Sequence, residues 1–125
     1  MTLSIKTKRD NLLNSLLPEL GQLIPAQSII TEVEQLHAFE CDAFTTMRQL
    51  PLLTVLPETI EQVQHVMRCC HQLEIPVVAR GAGTGLTAGS MPVENGVLLG
   101  MSKFDQLHEI DLDNLTTLIG PGVRN

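Results

Sequence analysis

From Pro76 to Pro92 the chain reads Pro-Val-Val-Ala-Arg-Gly-Ala-Gly-Thr-Gly-Leu-Thr-Ala-Gly-Ser-Met-Pro, a short apolar strand that runs straight into a loop with four glycines. Few folds accommodate such a segment. Glycine lacks Cβ, so nearby residues can take positive φ and turn their N–H groups toward one point, where a pyrophosphate can collect them. Arg80 is the only charged residue in the run, in a chain of net charge −6. A loop with one cation and no carboxylate is suited to an anion. A plain surface loop would not be flanked by buried-type segments on both sides, here residues 75–79 and 91–101.

At 125 residues the chain has room for one domain. With three Phe and no Trp or Tyr, its core must be built from Leu, Ile, Val and Met, and nucleic-acid binding by aromatic stacking is not expected. Eight Lys plus Arg against fourteen Asp plus Glu leave no basic face for a nucleic-acid backbone. Three cysteines, two of them adjacent at Cys69 and Cys70, make no disulfide framework and point to a reducing compartment, the cytoplasm. No apolar stretch follows the charged N-terminus, so neither a signal peptide nor a membrane span is expected.

Leu12, Leu13, Leu16, Leu17 and Leu20 recur at helical spacing, which predicts an N-terminal helical arm closed by Pro18 and Gly21. A short polar helix is expected over residues 31–36, then an irregular lead-in over residues 37–51 that carries Glu40-Cys41-Asp42. Residues 52–56, bounded by Pro51 and Pro57, read as a buried strand. Thr59 and Gln62 form a capping box for a helix whose apolar stripe is Ile60, Val63, Val66, Met67, Cys70 and Leu73. A second strand over residues 75–79 completes a β-α-β unit with parallel strands and a right-handed crossover. A third strand is expected over residues 96–101, then a hairpin of residues 107–111 and 116–119 turning at Asp113-Asn114. The chain reads as stopping inside a domain, at the Gly120-Pro121-Gly122 turn.

Spacing separates the chemistries that use glycine loops. A P-loop needs Gly-Lys-Ser/Thr, and no lysine lies between Lys8 and Lys103. Gly83-Thr84-Gly85-Leu86-Thr87-Ala88 matches the dinucleotide fingerprint, but Gly89 and Pro92 stand where its helix would have to run, which disfavours a Rossmann site. His65, Cys69, Cys70 and His71 suggest a metal cluster only superficially, because the apolar stripe claims Cys70 and too few ligands converge. The carboxylates flanking Cys41 suppress a thiolate nucleophile. Glu109, Asp111 and Asp113, with His108, are read as a solvated hairpin face.

What remains is a loop between two strands that binds pyrophosphate by its backbone. Pro57 at the helix opening, Pro76-Val77-Val78, Arg80-Gly81-Ala82-Gly83-Thr84-Gly85-Leu86, Gly89 and Pro121-Gly122-Val123 together resemble the PCMH-type, or vanillyl-alcohol-oxidase-type, FAD-binding domain. Glu40-Cys41-Asp42, Arg48 and Pro51-Leu52-Leu53 extend the likeness toward the branch that holds the flavoprotein subunits of bacterial glycolate oxidase and the D-lactate dehydrogenases.

The resemblance implies an α+β fold, the first subdomain of such a domain, with residues 1–50 as arm and lead-in and residues 51–125 as its incomplete first half. It implies FAD held without a covalent bond, since no histidine lies between His71 and His108. The implied cofactor-binding residues are Pro57, Arg80, Gly81, Ala82, Gly83, Thr84, Gly85, Gly89, Ser90 and Gly122. Ala88 departs from the glycine that close relatives tend to carry. The implied activity is oxidation of a small 2-hydroxy acid such as glycolate or D-lactate, with catalytic residues in later segments and an iron–sulfur companion subunit through which a membrane would be reached. The alternative is a non-catalytic remnant or nucleotide-binding module that folds with another chain.

Overall fold

The computed structural model describes residues 2–124. Helix α1 (Thr2–Leu20) leads to the short strand β1 (Ile29–Ile30) and the single turn α2 (Val33–Leu36). Strand β2 (Leu53–Val55), helix α3 (Ile60–Gln72), and strands β3 (Val77–Arg80) and β4 (Val97–Gly100) follow, then a hairpin of β5 (Leu107–Asp111) and β6 (Thr116–Ile119). The main sheet has the order β1-β2-β4-β3. Strands β2, β4 and β3 are parallel, and β1 joins the edge antiparallel, with Ile29 opposite Val55 and Ile30 opposite Thr54.

One face of this sheet makes the core. Leu53, Val55, Val97 and Leu99 alternate inward from the two central strands and meet Leu16 and Leu20 of α1 and Val66, Cys69 and Cys70 of α3. Burying both faces of parallel strands demands near-continuous apolar runs, which Leu52-Leu53-Thr54-Val55 and Val97-Leu98-Leu99 supply. Helix α1 is therefore packed onto the sheet and does not stand off as an arm.

Several details differ from the sequence reading or go beyond it. Pro18 lies inside α1, two residues before its last residue, Leu20, and the helix closes at Gly21, whose N–H reaches Leu17 O at 2.9 Å. Proline's fixed φ fits a helix, and so close to the end the backbone bond it forgoes does not break the element. In α3 the buried stripe is Val66, Cys69 and Cys70, flanked by Val63 and Leu73, while Ile60 and Met67 face solvent. Burial raises the Cys69 thiol pKa and pushes that of Cys70 up to about 11. Strand β3 begins two residues later than expected and includes Arg80. The parallel strands of the β-α-β unit are not neighbours, because β4 inserts between them.

The capping box forms in a shifted version. Thr59 Oγ1 accepts from Gln62 N at 3.2 Å, and the Gln62 side chain accepts from Glu58 N at 2.8 Å, one residue before the cap. In the hairpin, pairing shifts between Leu107 and Glu109. Leu107 stands opposite Ile119 and Ile110 opposite Thr117, so the irregularity puts these four residues on one face. The hairpin turn is held by Asp111, whose Oδ1 accepts from Asp113 N and Asn114 N at 3.0 Å and whose Oδ2 accepts from Asn114 Nδ2 at 2.7 Å. No helix among the described residues is long and apolar enough to cross a membrane.

Candidate cofactor cleft

In an open parallel sheet, ligands bind in the crevice beyond the carboxyl ends of the strands. Strands β3 and β4 end side by side there, with Arg80 opposite Gly100. Beyond them opens a cleft of about 360 Å³. It is lined by Arg80, Gly81, Ala82 and Gly83 from the glycine run, by Leu56, Gly100 and Ser102 beside the strand ends, and by Phe39 and Cys41–Ala43 from the lead-in. The glycine run beyond Gly83 forms an irregular loop, with Thr84, Gly85 and Gly89 exposed.

Two glycines are required by this geometry. Gly83 sits at φ +71, a left-handed conformation that side chains rarely adopt. At Gly81 a Cβ would lie 2.5 Å from Pro121 O, so the start of the loop packs directly against the backbone of the 120–122 turn. Gly122 is tied into that turn by its N–H, which donates to Phe104 O at 2.9 Å. Pro57 is fully buried at the end of β2. Ala88 adopts φ 57 without being glycine.

The lead-in and the loop are cross-linked. Asp42, only 6% exposed, accepts from Phe44 N at 2.8 Å and from Ser90 Oγ at 3.2 Å. These bonds, the Phe44 one above all, hold its carboxyl below the usual range, with the Arg80 charge adding to the effect. Arg80 Nη2 donates to Ser90 O at 2.9 Å and to Phe39 O at 3.2 Å, while its Nε donates to Ser90 O at 3.3 Å. Burial lowers the Arg80 pKa, opposed by Asp42. Ala43 N donates to Gly83 O at 3.1 Å. Nearby, Glu40 accepts from His37 Nδ1 at 2.9 Å and from Arg48 Nη1 at 2.5 Å, which lowers its pKa.

The cleft thus brings Arg80, Gly81, Ala82 and Gly83 together and leaves Thr84, Gly85, Gly89 and Ser90 on the loop above it, with Pro57 and Gly122 outside its lining. Leu56, Gly100 and Ser102 escaped the sequence reading. Their signal was positional only: they follow β2 and β4 at the end of the sheet where β3 delivers the loop. The other tempting side chains lie elsewhere. His65 Nε2 donates to Glu19 O at 2.8 Å and ties α3 to the end of α1.

The FAD binding domain family matches residues 51–125. The chain belongs to that family. Glycolate oxidase subunit GlcD of Escherichia coli K12 is 42% identical over 111 residues, covering 89% of this chain and 22% of that protein. D-lactate dehydrogenase of Archaeoglobus fulgidus is 38% identical over 71 residues, 57% of this chain and 16% of that protein. The chain therefore spans about a fifth of the length of these relatives. Among solved structures, p-cresol methylhydroxylase superposes with a TM-score of 0.75 at 25% identity, over 90% of this chain and 23% of that one. The 4-ethylphenol oxidase of Gulosibacter chungangensis gives a TM-score of 0.78 at 21% identity, over 90% of this chain and 23% of that one, a likeness of fold. The fold is part of a PCMH-type FAD-binding domain.

The residues present fit the group that the family implies. A Cβ on Gly85 would meet nothing within 4 Å, so the loop leaves open space beside its backbone, and the cleft next to it carries no carboxylate except the hydrogen-bonded Asp42. An anionic pyrophosphate needs both properties.

Proposed function

We propose that this chain is the FAD-binding segment of a flavin-dependent oxidoreductase that oxidises a small 2-hydroxy acid, glycolate or D-lactate. The observation that carries the reading is the glycine loop at the carboxyl ends of β3 and β4, open beside Gly85 and with no carboxylate of its own. The identity to the glycolate oxidase subunit supports it. Residues 51–125 are then the first half of the cofactor domain and residues 1–50 its lead-in. Residues 81–85, Gly89 and Ser90 hold the pyrophosphate with backbone N–H groups. Arg80 supplies the local positive charge, and Pro57 and Gly122 shape the cofactor's surroundings from the flanking turns.

When bound, FAD supplies the acceptor for the hydride on the substrate α-carbon, and the protein's part is to bind, orient and exclude water. No side chain of this segment serves as acid, base or carboxylate clamp in this reading. Those roles fall to other segments of the whole protein, as does contact with an iron–sulfur partner. Three free cysteines, two of them adjacent and buried, fit the reducing conditions of a cytoplasmic location in this reading.

The test is purification of the full-length protein, with its visible flavin absorbance recorded before and after acid precipitation. Release of FAD to the supernatant and reduction of an artificial acceptor with glycolate or D-lactate are expected. A colourless protein that takes up no FAD would overturn the reading.

A further inference from the structure

The family match begins at residue 51, yet several of the polar groups that hold the glycine loop in place, Phe39 O, Asp42 and Ala43 N, come from before it. The loop over residues 81–91 has no regular structure, and its own backbone supplies little: Met91 N reaches Ala88 O at 3.2 Å. Arg80 and the lead-in supply the rest. Ser90 is gripped twice, its hydroxyl by Asp42 and its carbonyl by Arg80, and the same Arg80 Nη2 reaches back to Phe39 O. Asp42 is in turn fixed by Phe44 N, and Ala43 N holds Gly83 O at the other end of the loop. A buried carboxylate beside a buried guanidinium, sharing one serine, forms a closed network whose members stiffen each other.

We propose that Asp42 is a positioning residue for the cofactor loop: through Ser90, and in concert with Arg80, it fixes residues 81–91 in the form that receives the FAD pyrophosphate. This rests on the reading of the loop as the FAD site. Asp42 does not touch the cofactor in this scheme. It acts by removing loop conformations that binding would otherwise have to exclude, so its loss weakens binding through lost preorganisation.

The experiment uses the full-length protein and compares wild type with Asp42→Ala, Ser90→Ala, the double variant and Asp42→Asn. Three quantities are measured: FAD affinity by fluorescence quenching, melting temperature, and amide hydrogen exchange of residues 81–91 in the apoprotein. Asp42→Ala is expected to weaken FAD binding about tenfold or more, the scale of one lost hydrogen bond to a charged group. Ser90→Ala is expected to weaken it less, and the double variant to bind as Asp42→Ala does, because both changes remove the same bond. Loop exchange should quicken in both single variants. Asp42→Asn, which can still accept from Phe44 N and pair with Ser90 Oγ, should recover most of the affinity.

Independent losses in the double variant, unchanged loop exchange, or a lowered melting temperature with unaltered FAD affinity would each overturn the proposal. Should Asp42→Ala fail to fold, Ser90→Ala and Asp42→Asn still decide it through loop exchange. If the wild-type protein binds no FAD, the functional reading fails, whereas the apoprotein exchange comparison still tests the Asp42 latch.

Discussion

Single residues already separate what the chain needs for stability from what it keeps for its cleft. Thr54 is fully buried in the middle of β2, and its hydroxyl has no partner, as is also true of Ser28. An unsatisfied buried hydroxyl destabilises, so Thr54→Val should raise stability by about 1 kcal/mol, read as a higher melting temperature. A lower one would mean that the hydroxyl is satisfied by an internal water. Gly83→Val acts in the opposite direction. A branched side chain at φ +71 with Arg80 Cδ only 3.3 Å from its Cβ is strained, at about 1–2 kcal/mol or more, and distorts the loop that Arg80 holds. Loss of FAD retention in the full-length variant is the expected outcome, measured as flavin per protein after gel filtration. Normal flavin content would remove Gly83 from the site.

Protonation adds a third prediction. Asp42, Glu40 and Asp111 all titrate below their ordinary values, 3.8 for each Asp and 4.5 for Glu40, because N–H, His37 or Arg48 donors favour their charged forms. A depressed carboxylate contributes stability that is present above its unfolded pKa and lost as pH falls through the folded one. Melting temperature should therefore be insensitive to these groups near neutrality and fall with acid once the pH drops below about 4. An Asp42→Asn variant should show a shallower acid limb than wild type; identical limbs would show that Asp42 carries no such linkage.

Whole elements carry their own signals. Helix α3 is specified locally by the Thr59 cap, so Thr59→Ala should cost about 1 kcal/mol without altering the core it packs on. The hairpin is the opposite case. Leu115 closes its turn at φ 53 and is 88% exposed, a poor residue in both respects. Asparagine tolerates that conformation, and Leu115→Asn should stabilise the hairpin by about 0.5–1 kcal/mol, visible as slower amide exchange in β5 and β6. Faster exchange would mean that the leucine makes a contact the hairpin needs.

At the scale of the molecule, two regions contrast. The sheet with α1 and α3 has one shared core, whereas the hairpin exposes Leu107 at 63%, Ile110 at 64% and Ile119 at 41% on a single face. Contiguous exposed apolar surface drives association, and two-stranded sheets are marginal without cover. This chain expressed on its own should thus self-associate, and replacing Leu107 and Ile110 together with threonine should raise its monomer fraction in gel filtration. An unchanged distribution would place the sticky surface elsewhere.

Local rules sufficed wherever a decision depended on near neighbours. The Thr59 cap, the Asp113-Asn114 turn and the glycine loop all follow from residues within a few positions of one another, because caps, turns and positive φ are set over one turn of chain. Residue choices across the sheet were not legible. The sequence cannot tell that β4 inserts between β2 and β3, since parallel strands pair through long crossovers whose closure is decided by the packing of the whole core. Periodicity put Met67 on the buried side of α3 and left out Cys69, the reverse of what the fold shows, since the angular position of the helix depends on what α1 presents to it. The same reason governs the cleft. Arg80 reads in sequence as a free cation beside a phosphate loop, yet in the fold its guanidinium is bonded to Ser90 and Phe39, forty-one residues away in the second case. Composition and spacing singled out the glycine loop as the candidate anion site; only the tertiary structure brought Asp42 to the loop, because contacts between distant segments depend on the sheet order that carries them there.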